Sequence, residues 1–241
     1  DALPIYVWQP VWIDVTATAD TPPGEYQGSI TVTGKGVPEL NVPFTVKVWD
    51  FELPLQATQP QLISFKSDGD MIPFIDEVYD TNNPDFQAFC RWKEGKSNEL
   101  SAGAQRYRDL EIEMESLLLR HRGTPSPIYN NNRPLMVEDA QRWLAAGGNT
   151  LNITYLRPTS VKKDELFPGW VYTRVFNELD LVVPKLKEAG IFEYALLYAL
   201  DEIGELTFHA AKDILQKVKQ KYPELPILTT AYDPDYGKYT G

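Results

Sequence analysis

At Pro54 the spacing of apolar residues changes, and that change restricts what the chain can fold into. Upstream, the segments at 11–18 and 40–49 alternate in steps of two; downstream, strand-length segments alternate with segments that repeat every three to four residues. Residues 11–18 put Val11, Ile13, Val15 and Ala17 on one side, and residues 40–49 do the same with Val42, Phe44, Val46 and Val48. Between them lie a Pro-Pro-Gly turn at 22–24, a strand over 28–33 and a Gly-Lys-Gly turn at 34–36. Short alternating strands with such turns predict an immunoglobulin-like β-sandwich. About four strands are legible against the ~7 of a complete sandwich, so residues 1–53 are expected to be the C-terminal part of one. Residues 50–54 read as a linker.

From Pro54 onward five strands are expected, at 61–65, 126–129, 150–156, 194–200 and 226–231. The helices between them are expected at 99–122, 137–146, 173–189 and 205–221. The first carries Leu100, Ala104, Tyr107, Leu110, Met114, Leu117 and Leu118 on one stripe and stops at Gly123; the third carries Phe176, Leu179, Val183 and Leu186. Pro184 is expected to kink or restart that third helix. Residues 67–98, rich in Asp, Asn and Pro, read as a long insertion. Regular strand–helix alternation predicts a parallel sheet. A TIM-type (β/α)8 barrel needs eight strands, so residues 54–241 are expected to form the N-terminal part of a truncated one, about five units long. The alternative is an open five-stranded α/β sheet, whose last strand would be left as a bare edge.

Charge narrows the function. A net charge of −11 argues against nucleic acid, since no basic patch is available for phosphates. The densest basic run, 212–221, alternates with apolar helix positions and reads as a solvated face. Cys90 is the one cysteine, which excludes an internal disulfide, and no Cys or His cluster has metal spacing. His121 and His209 fall within helical segments and read as surface or packing residues. No apolar run approaches the ~20 residues of a membrane helix. The chain starts without Met or a signal peptide, so its beginning reads as a cut end. No Gly-rich phosphate loop points to a cofactor, and none is expected.

Three Asp-Glu pairs occur, Asp76-Glu77, Asp164-Glu165 and Asp201-Glu202, but only the last follows an unbroken apolar strand and precedes a helix. Catalytic groups in strand–helix barrels sit at the C-terminal ends of strands. Neighbouring side chains point to opposite faces within a strand, yet at its end both can reach one ligand. Adjacent acids do not suit the common glycosidase, whose carboxylates stand ~5–9.5 Å apart across the bond. They suit the substrate-assisted variant, in which the sugar's own 2-acetamido group is the nucleophile. Asp201 would then orient the acetamido nitrogen while Glu202 donates a proton to the leaving oxygen, two close carboxylates resisting joint ionisation. The plain alternative is that either acid caps the helix that follows.

The segments Pro23-Gly-Glu-Tyr-Gln-Gly-Ser-Ile-Thr-Val32, Val48-Trp-Asp-Phe-Glu-Leu-Pro54 and Tyr198-Ala-Leu-Asp-Glu202 resemble glycoside hydrolase family 123 and its uncharacterised bacterial relatives. The resemblance implies a β-sandwich joined to a β/α barrel, with an Asp-Glu pair after the fourth barrel strand. It implies hydrolysis of β-linked N-acetylgalactosamine from glycolipid-type glycans, and a secreted, periplasmic or cell-surface location in bacteria. Family residues from later strands, including aromatic walls for the sugar, have no counterpart in this chain.

Other polar residues fall at expected strand ends. Asn131 and Arg133 follow the second, Tyr155 and Arg157 end the third, and Tyr232 and Asp233 follow the fifth. They are candidates for sugar hydroxyls, with Tyr155 or Tyr232 available to stack, though Asn130–Asn132 also reads as a plain turn and Arg157 as a surface residue. Asn152 could point inward and bond a neighbour of the acid pair. Trp92 and Trp170, in expected loops, are candidate sugar platforms or packing residues. The leading expectation is a hydrolase of β-linked 2-acetamido sugars. A non-catalytic carbohydrate-binding scaffold is one alternative, and a hydrolase with a conventional nucleophile on another strand is a second.

Overall fold

The computed structural model describes residues 11–65, 82–126, 128–129, 134–157 and 159–231. The chain divides into two units, Asp1–Leu53 and Pro54–Gly241.

In the first unit, β1 (Gly24–Gly34) pairs antiparallel with β2 (Val37–Val48) around a turn in which Gly36 has φ of +78°. The register sets Tyr26 opposite Val46, Ile30 opposite Val42 and Val32 opposite Leu40. One face of the ribbon is therefore apolar, while Glu25, Gln27, Thr31, Asn41 and Lys47 occupy the other. Gly28 faces Phe44, and a Cβ there would come within 2.6 Å of the Phe44 ring. The expected sandwich is not formed: the described residues of this unit hold one two-stranded ribbon. Residues 11–18 alternate as a strand would, but they are exposed and form no strand, and the contacts of Trp12 and Thr18 are local. The Trp12 indole donates to Asp14 at 2.7 Å, and Thr18 bonds Thr21.

In the second unit, α1 (Pro84–Lys93) lies inside the stretch expected to be an insertion. Its start was hidden in the Asn/Pro-rich run: Asn83 caps it, accepting from the N–H groups of Asp85 and Phe86, and Pro84 fits the first turn. α2 (Ala102–Arg120) begins on Ser101, whose hydroxyl accepts from Ala104 N–H. α3 (Val137–Ala145) follows, then β3 (Leu151–Tyr155), α4 (Gly169–Glu188), β4 (Ala195–Tyr198), α5 (Glu205–Lys221) and β5 (Ile227–Leu228). α4 runs unbroken through Pro184. That residue is exposed, so the carbonyl it leaves without a partner is on the solvent side, where water can satisfy it.

β3, β4 and β5 form a parallel sheet in that order, with α4 and α5 as the crossovers. Leu179, Val183, Leu186, Leu197, Ile214 and Val218 are buried between sheet and helices. The truncated barrel is not observed. The described residues contain three parallel strands in an open sheet, and neither 61–65 nor the described residues of 126–129 join it as a strand. Side chains explain the second absence. The Asn152 N–H donates to the Ser126 hydroxyl at 2.9 Å, where a barrel strand would offer a carbonyl. Asn152 Oδ1 in turn accepts the Tyr198 N–H at 2.8 Å, which interrupts the β3–β4 register after Asn152. Residues 61–65 are tied instead by the Ile63 N–H to the Thr124 carbonyl at 3.0 Å and by the Gln61 N–H to Asn149 Oδ1 at 3.2 Å.

The first three helices are held by a buried charge network. Arg108 of α2 bonds Glu111 on its own helix and Asp139 of α3. Arg142 of α3 reaches Glu115 at 2.5 Å and Asp139 at 2.9 Å, and Lys93 of α1 reaches Glu111 at 2.5 Å. The Trp143 indole N–H donates to Glu115 at 3.1 Å. Burial, and then the neighbouring Glu111 charge, push the Glu115 carboxyl above its ordinary value. Among the described residues no helix is long and apolar enough to cross a membrane.

Candidate functional site

β4 delivers the acid pair. Beyond its last residue the chain keeps its pairing with the end of β5 and the residues that follow: Ala199 N–H donates to the Leu228 carbonyl at 2.8 Å, and Thr230 N–H to the Leu200 carbonyl at 2.9 Å. Pairing resumes at Ile203, bridged to Ala231. Asp201 and Glu202 are the two residues left between. Glu202 has φ of +48°, a left-handed conformation rare for a residue with a Cβ. That turn brings consecutive side chains to one place. Both acids line a cavity of about 250 Å³, together with Thr159, Ser160, Gly204 and Thr207.

Asp201 is half-buried and tightly held, whereas Glu202 is exposed. Two hydroxyls donate to Asp201 Oδ1, Tyr198 at 2.5 Å and Thr230 at 2.9 Å. Burial, followed by the bond to Asp201, pushes the Tyr198 phenol well above its usual range, so it stays a proton donor. Its ring lies face to face with Tyr155, 5.8 Å between centroids and 19° between planes. Tyr129 sets its edge against both, at 5.4 Å from Tyr155 and 6.1 Å from Tyr198. Burial and then the Asp201 charge also raise Tyr155.

No protein-family model matches the chain, and no curated protein matches it either. The site therefore rests on its own geometry.

The other expected site residues fare differently. Tyr155 is 7% exposed with its ring packed on Tyr198, so it supports the acid-bearing strand and offers no platform for a sugar. The exposed ring of the trio is Tyr129, at 53%. Asn152 is buried and bonds the backbone of Tyr198, whose hydroxyl holds Asp201. Asn131, Arg133, Tyr232 and Asp233 lie outside the described residues. Arg157 is exposed. Trp92 is buried beside Phe89 and Arg108, away from the acids, while Trp170 is exposed at the start of α4. Neither acid supplies a side-chain cap to α5, which starts on Gly204 without one.

Tyr198, Thr230, Tyr129, Thr159, Ser160 and Thr207 were not singled out by sequence. Tyr198 carried a signal, three residues before Asp201 on the same strand; the hydroxyl residues carried none. Among the described residues no three of His, Cys, Asp and Glu converge in a way that could hold a metal ion.

Proposed function

We propose that the chain carries the acid pair of a glycoside hydrolase that cleaves β-linked 2-acetamido sugars by a substrate-assisted, retaining route. The observation that carries this reading is the placement of two consecutive carboxylates on one cavity wall by the left-handed turn at Glu202. The resemblance to glycoside hydrolase family 123 supports it, and with it an N-acetylgalactosaminide substrate and a secreted, periplasmic or cell-surface setting.

The roles follow from the surroundings of each acid. With Oδ1 taken by two hydroxyls, Asp201 keeps Oδ2 without a donor among the described residues. An acceptor so held suits the acetamido N–H, whose positive character grows as the oxazolinium forms. The acetamido oxygen bonds to C1 as the glycosidic C1–O bond breaks, and Glu202 donates its proton to the leaving oxygen. Water then attacks C1 and gives its proton to Glu202, while the C1–O bond of the oxazolinium ring opens. A space of about 250 Å³ falls just under the ~300 Å³ lower bound of ligand sites and suits one sugar ring.

Matched 4-nitrophenyl β-glycosides bearing a 2-acetamido or a 2-hydroxyl group test this reading. Release of nitrophenol from the acetamido compounds alone supports it; equal release from both points to a conventional nucleophile. Tyr129→Ala is expected to raise KM about tenfold with kcat within twofold, if the exposed Tyr129 ring, packed on the Tyr198 that holds Asp201, stacks on the sugar and contributes binding common to ground and transition states. Steady-state kinetics on the galacto- and gluco-configured compounds check it.

A second reading is a carbohydrate-binding scaffold without turnover, which the same cavity and its hydroxyl-bearing lining, Thr159, Ser160 and Thr207, would equally serve. Sugar binding that persists in Asp201→Ala, with no product from any glycoside, is its signature.

A further inference from the structure

Thr230 touches four consecutive residues around the acid pair. Its N–H donates to the Leu200 carbonyl at 2.9 Å, and its carbonyl accepts from Ile203 N–H at 3.4 Å, so its backbone brackets the pair on both sides. Its side chain takes the two residues between. The hydroxyl donates to Asp201 Oδ1 at 2.9 Å and accepts the Glu202 N–H at 2.9 Å. A hydroxyl is suited to both tasks because it can donate and accept at once.

These two bonds bear on different degrees of freedom. The one to Asp201, together with that from Tyr198, fixes which carboxylate oxygen is occupied and hence which way the other faces. The one to Glu202 holds a peptide N–H in a turn that a residue with a Cβ adopts at a cost, so the left-handed φ of +48° needs an external tie. One atom, Thr230 Oγ1, thereby couples the carboxylate of the first acid to the backbone of the second.

We propose that Thr230 is a positioning residue for the hydrolytic reaction, its hydroxyl setting the relative orientation of Asp201 and Glu202. The inference rests on the hydrolase reading for its catalytic consequence, while the tie itself is testable without turnover. Thr230 touches neither the sugar nor the reacting atoms in this scheme, so its loss acts on kcat. A displacement of reacting groups by about 1 Å costs on the order of 100-fold in rate.

The test compares Thr230→Val, which keeps the shape and removes the hydroxyl, with Thr230→Ser, which keeps the hydroxyl. On the 4-nitrophenyl 2-acetamido-β-glycosides, Thr230→Val is expected to lower kcat about 10- to 100-fold with KM within twofold. Thr230→Ser is expected to stay within about threefold of the parent on both constants. Amide NMR gives the second readout. In Thr230→Val the Glu202 N–H should lose its acceptor, with a changed shift and a steeper temperature coefficient; in Thr230→Ser it should not. A Glu202 amide unmoved in Thr230→Val overturns the tie whatever the kinetics. A moved amide with kcat unchanged overturns the positioning role. If the parent chain hydrolyses no glycoside while the amide moves, the tie stands and the hydrolase reading is the one that fails.

Discussion

Asp201→Asn is expected to lower kcat on an aryl 2-acetamido-β-galactoside by about 10²- to 10³-fold, the usual loss when one preorganised electrostatic partner of a developing charge is removed. The amide has nearly the same shape and can still accept the Tyr198 and Thr230 hydroxyls through its oxygen, so the fold should be unaffected. What disappears is the negative charge facing the acetamido nitrogen as it turns cationic. The loss should therefore appear in kcat and kcat/KM alike, with KM little altered. Glu202→Gln should separate from it by leaving group. An activated nitrophenolate departs without a proton, so that variant should keep far more activity on nitrophenyl substrates than on a glycan, whereas Asp201→Asn should be impaired on both. Retention of full activity in Asp201→Asn would rule out the substrate-assisted scheme. Asp76→Asn, on another of the three Asp-Glu pairs, is the control and should match the parent.

The second large effect concerns stability. Arg108→Ala is expected to cost about 3–5 kcal/mol, because it removes two charge-assisted bonds from a buried network and leaves three carboxylates, Glu111, Asp139 and Glu115, to two cations, Lys93 and Arg142. A chain of this length should lose about 10 °C or more of Tm by circular dichroism. Lys162→Met, which breaks an exposed pair with Glu165, should move Tm by no more than a degree or two. The deficit should also depend on pH. A buried cluster with more carboxylates than cations holds a folded pKa above the unfolded one, so the folded state holds the extra proton. Its contribution is then fully present below the unfolded pKa and is lost as pH rises through the folded value. Arg108→Ala should accordingly lie closest to the parent near pH 4 to 5 and fall away toward neutrality. Glu115, already raised by burial, gives the parent a weaker trend of the same sign. A deficit that is flat with pH would mean that lost packing, not stranded charge, causes the destabilisation.

Local pattern carried part of this structure. α5 spans the expected residues, and the apolar runs before Tyr155 and before Asp201 are β3 and β4. Strand–helix alternation does not by itself close a barrel, and alternating residues do not by themselves make a sandwich. Strand-like spacing at 126–129 does not reveal that the Ser126 hydroxyl takes the Asn152 N–H. Spacing at 11–18 likewise cannot register that Trp12 and Thr18 are satisfied by neighbours two and three residues away. α1 was lost because Asn83 and Pro84 read as turn residues, whereas together they begin a helix. At the site, the acids stood out because charge breaks an apolar run. Tyr198 passed as one more core residue of that run, and Thr230 is brought to Asp201 by β4–β5 pairing across 29 positions. Such partners belong to the tertiary fold, which no local window contains.

The backbone at Glu202 sets two pressures against each other. A left-handed residue with a Cβ costs roughly 1–2 kcal/mol, and glycine would take the same conformation without it. Variants sorted only for resistance to heat should accumulate glycine at 202 and become sturdier; variants sorted for turnover should keep glutamate and forgo that gain. Position 202 is where the two sorts part company. Its occupant in any variant pool indicates which demand that pool has met.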